Sequence, residues 1–174
     1  MPRYYWNSLV AKVTNKFRYP DSSTKEEKVK KGTYDSEGNC KFCLLIQGEV
    51  LYKDSEVAVF MDIKRDAACH ILIIPTAHIP NIDHLTPDNI PLIQKMESLG
   101  RSHLQNLCPG DHILGFHHPP RNSIDHLHMH GLTKPIFKFK SKLSYSKYLW
   151  FITPDQVISR LNNQIKIVLS TILS

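Results

Sequence analysis

The sequence has no apolar run that approaches the roughly 20 residues needed to span a bilayer, which predicts a soluble protein with no membrane partner. Its start lacks the uninterrupted apolar core of a signal peptide, which predicts a cytoplasmic protein, with the nucleus as a further location. Cysteine is scarce. In a reducing compartment its four copies are expected to be metal ligands or buried thiols rather than disulfides: Cys40, Cys43, Cys69 and Cys108.

Acidic residues are outnumbered, because 22 Lys and Arg face 16 Asp and Glu. Residues 1–31 hold eight basic and three acidic residues with little periodicity, so residues 1–35 are predicted to be a basic, mostly disordered arm. The folded domain is then expected at 36–174. A second group of basic residues has no acid among them: Lys134, Lys138, Lys140, Lys142 and Lys147. Both groups could attract a polyanion, but charge position alone favours a solvated surface over nucleic-acid binding.

The hydrophobic pattern predicts an α+β domain. Several short apolar segments are expected to be strands: Val50–Tyr52, Val57–Met61, His70–Pro75, His112–Phe116 and Ile124–Leu132. The first two flank a short polar segment, which indicates a hairpin. Helices are predicted after Thr86 and Thr153, because each begins a Thr-Pro-Asp sequence that is followed by apolar residues at helical spacing. The first helix is expected to end before Pro109 and to cover the sheet, and the second is a C-terminal amphipathic helix.

Three histidines alternate with apolar residues in the run His126–His130. On a strand, alternate side chains share one face at roughly 7 Å spacing, so these rings can surround a phosphate-sized group. A neutral imidazole is a nucleophile that needs no activating base, and its attack on phosphorus would divide one displacement into two easier steps. Ser123 lies close enough in sequence to assist. The alternative interpretation is a His-rich surface strand or an adventitious metal site.

The segment His126–Leu132 resembles the signature of the histidine triad superfamily. Upstream, Phe60–Ile63 and His70–Ile79 resemble the block in which that superfamily has a ribose-binding acid, a strand and two histidines. The resemblance therefore runs from about Cys40 to Leu132. Two further segments are most similar to the Hint branch, which is related to aprataxin: Gly115–Pro120 and Tyr148–Thr153.

The resemblance implies an antiparallel sheet covered by the long helix, and an adenosine 5'-monophosphoramidase or nucleotidyl hydrolase that needs no cofactor for its chemistry. His128 would attack the α-phosphorus of a phosphoramidate or acyl-adenylate, and water would release AMP from the adenylyl-histidine. His130 and Ser123 would contact the phosphate, with Asn122 beside them and His70 near the leaving group. The remaining contacts that it implies are Asp62 with the ribose and an adenine pocket of Phe42, Leu45, Phe60 and Ile63.

Cys40 and Cys43 have the spacing of a zinc knuckle, which two downstream histidines would complete as a tetrahedral site. The resemblance implies that His78 and His126 are those ligands, around a structural zinc ion. The alternative is a pair of reduced thiols beside a core histidine. A redox pair is less favoured, because no βα unit follows the motif.

Two departures from the superfamily pattern leave the substrate preference open. Gly131 stands where an aliphatic residue is usual, and Arg121–Ser123 replaces the commoner Gly-Gln-Ser. Three alternatives to this hydrolase are an aprataxin-like DNA deadenylase, a nucleotide-binding scaffold without turnover, and a catalytic zinc site shared by His128 and His130. The absence of a zinc-finger module after the triad counts against the first, and retention of His128 counts against the second. The resemblance also implies a homodimer.

Overall fold

The structure is a computed structural model that describes residues 39–63, 66–119, 121–137, 143, 145 and 150–172. The predicted basic arm and four of the five clustered lysines lie outside these residues, so those predictions are untested. Within the described ranges, no helix has both the length and the apolar character required to cross a bilayer.

The described elements are six strands, three α-helices and two 3₁₀ helices, the last at Ile82–His84 and Pro87–Asn89. The strands are β1 (Tyr52–Lys53), β2 (Val57–Met61), β3 (His70–Pro75), β4 (His112–His117), β5 (Met129–Thr133) and β6 (Phe151–Ile152). The helices are α1 (Lys41–Leu45), α2 (Ile90–Leu107) and α3 (Pro154–Ile172). The strands form one sheet in the order β1-β2-β3-β5-β4-β6, with every neighbouring pair antiparallel. The predicted α+β class is therefore confirmed.

The two faces of the sheet pack against different elements. Strands β2 and β3 are buried along their whole length, which explains why they read as continuous apolar runs. Alternate residues such as Ile71 and Ile73 join the main core, to which α2 contributes Ile93 and Met96. Phe60 and Leu72, with the other residues of the opposite parity, join a smaller cluster beneath α1. Helix α2 therefore covers one face and leaves the other for polar side chains.

Gly131 allows α2 to pack closely on β5. A Cβ atom at this position would lie 3.0 Å from Ile71 Cγ1 and 3.0 Å from Leu104 Cδ1, which is tighter than ordinary van der Waals contact. Leu104 of α2 therefore occupies the space that a side chain at position 131 would need, which explains why glycine replaces the aliphatic residue usual in the superfamily. Gly131 does not interrupt the pairing of β5 with its neighbours, because it pairs with Ile71 of β3 and with Leu114 of β4.

Several local predictions were wrong. Strand β5 begins at Met129 rather than at Ile124, because the Leu127 N–H donates to the Ile79 carbonyl (2.6 Å) in the loop after β3. Strand β6 and helix α1 were not predicted, and both are too short to show a hydrophobic period. Cys69 and Cys108 are buried as expected, but they form a disulfide between the start of β3 and the end of α2.

Replacing Gly115 by alanine is expected to lower the free energy of unfolding by about 1–3 kcal/mol, as overpacking does. Its Cβ would lie 2.5 Å from the Ile152 carbonyl oxygen and 2.6 Å from Phe151 Cε1, so β6 must move. Urea unfolding of the variant would measure this. The matched control is Gly48→Ala, where the nearest atom lies at 3.5 Å and little loss is expected. Equal effects at both glycines would contradict the close β4–β6 packing.

Candidate active site

The imidazoles collect on the sheet face opposite α2. His130 pairs with Leu72 in the β3–β5 register, so its side chain projects with the smaller core cluster and away from the helix. His70, at the start of β3, and His128, just before β5, are also buried. The Phe42 ring of α1 packs edge-on against His128, with ring centroids 5.3 Å apart. A group of buried imidazoles therefore lies beside an aromatic wall.

His128 has a defined tautomer. Its Nδ1 lies 2.6 Å from the backbone carbonyl oxygen of His126. Because a carbonyl only accepts, Nδ1 must carry the hydrogen and Nε2 must keep its lone pair. Burial lowers the pKa of His128 to about 4, so the ring is neutral at physiological pH. This is the arrangement that an imidazole nucleophile requires.

His130 has the complementary tautomer. Its Nδ1 lies 2.9 Å from His70 Nε2, which in turn lies 3.2 Å from Asp62 Oδ2. A hydrogen on His70 Nε2 can be donated both to His130 Nδ1 and to the Asp62 carboxylate. Because His130 Nδ1 then accepts, the hydrogen of the neutral His130 ring is on Nε2. That Nε2 is buried and has no hydrogen-bond partner in the described part of the chain. Since an unsatisfied buried donor costs about 1–3 kcal/mol, it is suited to a ligand oxygen.

Two residues beyond the predicted set border this cluster. The His117 ring centroid lies 4.7 Å from that of His130, and burial lowers the pKa of His117. The Tyr145 hydroxyl lies 3.4 Å from Asp66 Oδ2 and 3.5 Å from His70 Nε2. Burial raises the pKa of Tyr145, which therefore stays protonated. No sequence pattern indicated Tyr145, because it lies between the two stretches that carry the resemblance, Cys40–Leu132 and Tyr148–Thr153.

Three of the residues predicted to bind the nucleotide lie in or beside the imidazole cluster: Phe42, Phe60 and Asp62. Phe60 is buried against Phe42, at 5.7 Å between ring centroids, and Leu45 is half-buried. Ile63 lies two residues after the end of β2, and its side chain is 77% exposed to solvent. The predicted ribose ligand Asp62 is the carboxylate that contacts His70.

The predicted phosphate-binding loop is more open than the imidazole cluster. Asn122 donates its amide to the Asp125 carboxylate (2.6 Å), which holds the loop that precedes the triad. Ser123 is exposed in that loop. At the rim, the Arg121 guanidinium lies over the Trp150 ring, 4.5 Å from its centroid. The structure thus brings the histidines together, whereas Ser123 lies at the surface.

His126, the remaining histidine of the triad, is directed at the two cysteines and not at the imidazole cluster. His126 Nε2 lies 2.9 Å from the Pro75 carbonyl and therefore donates to it, which leaves the lone pair on Nδ1. That Nδ1 lies 3.4 Å from Cys40 Sγ and 3.5 Å from Cys43 Sγ. His78 Nδ1 lies 3.5 Å from Cys43 Sγ. The four predicted metal ligands are thus gathered, with all their donor atoms within 4.8 Å of one another.

These spacings suit a tetrahedral zinc ion. With Zn–S of about 2.3 Å and Zn–N of about 2.0 Å, the sulfur and nitrogen atoms of such a site lie about 3.5 Å apart. Without a metal, burial raises the pKa of the Cys43 thiol to about 11, and burial lowers the pKa of His126. The Cys₂His₂ donor set and its geometry therefore both fit a closed structural site.

The chain is similar to a known protein family and to several known proteins. The family described as "Scavenger mRNA decapping enzyme C-term binding" matches residues 39–143. Adenosine 5'-monophosphoramidase HINT3 of Xenopus tropicalis is 36% identical over 133 residues, which cover 71% of this chain and 87% of the relative. The mouse HINT3 is also 36% identical, over 74% of this chain and 83% of the relative. A HIT family hydrolase from Legionella pneumophila is 28% identical, with a TM-score of 0.53 over 58% of this chain and 97% of that structure.

Proposed function

Since the chain belongs to the histidine triad superfamily, as a relative of the HINT3 proteins, we propose that it hydrolyses adenosine phosphoramidates through an adenylyl-histidine intermediate. The observation that carries the proposal is the tautomer of His128. Its Nδ1–H is donated to the His126 carbonyl, so the Nε2 lone pair is available to attack phosphorus. The name of the HINT3 relatives supports phosphorus–nitrogen bonds as the target.

In the first step, the Nε2 lone pair of His128 forms a bond to the α-phosphorus, and the bond from phosphorus to the substrate nitrogen breaks. The departing amine takes up a proton as it leaves. We assign His117, whose ring borders that of His130, to the leaving-group side in place of the predicted His70, because His70 Nε2 contacts His130 and Asp62. The buried Nε2–H of His130 donates to a phosphoryl oxygen, which satisfies a donor that otherwise has no described partner.

In the second step, water attacks the phosphorus of the adenylyl-histidine, and the bond from phosphorus to nitrogen breaks. AMP leaves, one proton is released and His128 returns to its neutral tautomer. The low pKa of His128 favours this regeneration, because a buried imidazolium would be costly. Phe42 and Phe60 would pack against the base, and Asp62 would accept hydrogen bonds from the ribose. Neither step requires a metal ion at phosphorus.

We also propose that the Cys40, Cys43, His78 and His126 group holds a structural zinc ion. What supports this is the donor set and its spacing. Zinc would connect the start of α1, which holds both cysteines, to His78 in the loop after β3 and to His126. The homodimer, the cytoplasmic or nuclear location and the alternative DNA deadenylase stay predictions.

The activity should remain high in weakly acidic solution. Protonation of His128 removes the attacking lone pair, and its pKa of about 4 lies well below the ordinary value of 6.5. We expect kcat/KM to be level from about pH 8 to 5 and to fall as the pH approaches 4. Circular dichroism at each pH would verify folding, because protonating buried imidazoles also destabilises the native state below pH 6.5. A decline centred near pH 6.5 would contradict the assigned nucleophile.

Rapid mixing with an adenosine phosphoramidate, followed by mass spectrometry of the quenched protein, tests the covalent step. An added adenylyl group on the His128 peptide is the expected result. The matched control is His84→Ala, which removes an exposed imidazole outside the site and should leave the adduct intact. An adduct on another residue, or AMP release without any adduct under single-turnover conditions, would refute the proposed intermediate.

A further inference from the structure

Three donor atoms from two strands and the end of a third meet in the imidazole cluster. His70 Nε2 lies 2.9 Å from His130 Nδ1 and 3.2 Å from Asp62 Oδ2, and the remaining side of this triangle is 3.9 Å. We propose that this group is a second, open metal site that binds a divalent transition-metal ion such as Zn²⁺ or Co²⁺ and thereby blocks the nucleotide pocket.

The dimensions of the triangle carry the proposal. A point equidistant from three atoms with these separations lies about 2.0 Å from each, and zinc–nitrogen and zinc–oxygen bonds in proteins are about 2.0–2.2 Å. Ligands of a tetrahedral ion with such bonds lie about 3.4 Å apart, so the donor atoms would have to shift by roughly 0.5 Å to bind it. Two imidazoles and one carboxylate are also a donor set that Zn²⁺ accepts while keeping a further position open.

The electronic arrangement favours a cation at this point. The nitrogens of His70 and His130 face each other and one carboxylate oxygen at hydrogen-bond distance, and one hydrogen on His70 serves both acceptors. A metal ion would replace that hydrogen and accept all three electron pairs. The side chains of His70 and Asp62 are only 1% and 11% exposed, so surrounding protein already holds the donors in place.

This site differs from the Cys₂His₂ site in both ligands and consequence. It has no thiolate, and its three ligands leave the ion open to exchange, so we expect weaker binding. The following consequence rests on the proposed function. A bound ion would occupy the Asp62 carboxylate, so the contact with the ribose would be lost. The metal would therefore compete with AMP.

The test starts from the full chain loaded with one equivalent of Zn²⁺, to which Co²⁺ is added. We expect visible d–d absorption without the thiolate-to-cobalt charge-transfer band in the near ultraviolet, and a second metal equivalent per chain. AMP should raise the apparent Kd for Co²⁺. A charge-transfer band, which would place Co²⁺ at the cysteines, or a stoichiometry that stays at one metal per chain would overturn the proposal.

Asp62→Asn should raise the Kd for the second metal at least about tenfold, because an amide oxygen is a weaker ligand than a carboxylate. Asp111→Asn, which neutralises an exposed acid in the loop before β4, is the matched control and should leave the Kd unchanged. Equal Co²⁺ binding by Asp62→Asn and the parent chain would refute the site. AMP release in metal-free buffer reports the proposed function separately, because it can be normal whether or not this metal binds.

Discussion

Replacing His128 by alanine is expected to lower AMP release from an adenosine phosphoramidate by at least about 1,000-fold. The variant lacks the Nε2 lone pair that is to attack phosphorus, and the other two histidines of the triad direct their Nδ1 atoms at other partners. His130 turns its Nδ1 to His70, and His126 turns its Nδ1 to the cysteines. AMP binding should be retained, because the ribose and base contacts come from other residues. Steady-state kinetics and a direct AMP titration would measure both effects.

The controls separate lost chemistry from lost structure. His128→Gln keeps a polar side chain in the buried position, so a matching loss of turnover in that variant would exclude a cavity effect. His103→Ala, on α2 and packed against Tyr52, removes an imidazole on the opposite side of the sheet and should keep full turnover. If His128→Ala turned over at the parental rate, the covalent mechanism would be refuted. A scaffold without turnover, by contrast, would release no AMP even with His128 present.

Much of the site could be predicted because the chemistry lies in one short alternating run. Histidine at every second position predicted a shared face, and the three residues are indeed buried beside the same sheet. The alternation alone did not divide them; the resemblance did, because it implied His126 as a zinc ligand and the other two histidines as phosphate contacts. His126 donates to Pro75 and faces the cysteines, whereas the His130 ring contacts the rings of His70 and His128. The partners of His126 and His130 are Pro75 and His70, which belong to a distant strand, so no local pattern reveals these two hydrogen bonds.

The elements that were missed are short or depend on tertiary contacts. Helix α1 has five residues and β6 has two, so neither spans enough sequence for a hydrophobic period to appear. Strand β6 is fixed instead by its antiparallel pairing with the end of β4. The disulfide between Cys69 and Cys108 was also missed, because the sequence separation of 39 residues gives no measure of distance in space. Tyr145 reaches the imidazoles from a similarly distant segment.

Removing zinc is expected to lower the free energy of unfolding by about 4 kcal/mol when free zinc had been at about 1,000 times its Kd. The ion would join Cys40 and Cys43, at the start of α1 and within it, to His78 after β3 and to His126 before β5. Unfolding separates these four ligands, so the free energy of binding adds to the stability of the folded chain. Thermal or urea unfolding with and without a chelator would measure the loss. The matched variant is Cys43→Ser, which should be less stable initially and insensitive to the chelator.

The same experiment distinguishes a structural ion from a catalytic one. His126 contributes its ring to the metal group and its carbonyl oxygen to His128 Nδ1, so zinc would support the nucleophile only through the backbone. AMP release should therefore fall in parallel with the folded fraction after chelation, and should persist at temperatures where the metal-free chain stays folded. Complete loss of turnover in a fully folded, zinc-free protein would instead assign the ion to the chemistry. A chelator without effect on stability would rule out the structural site.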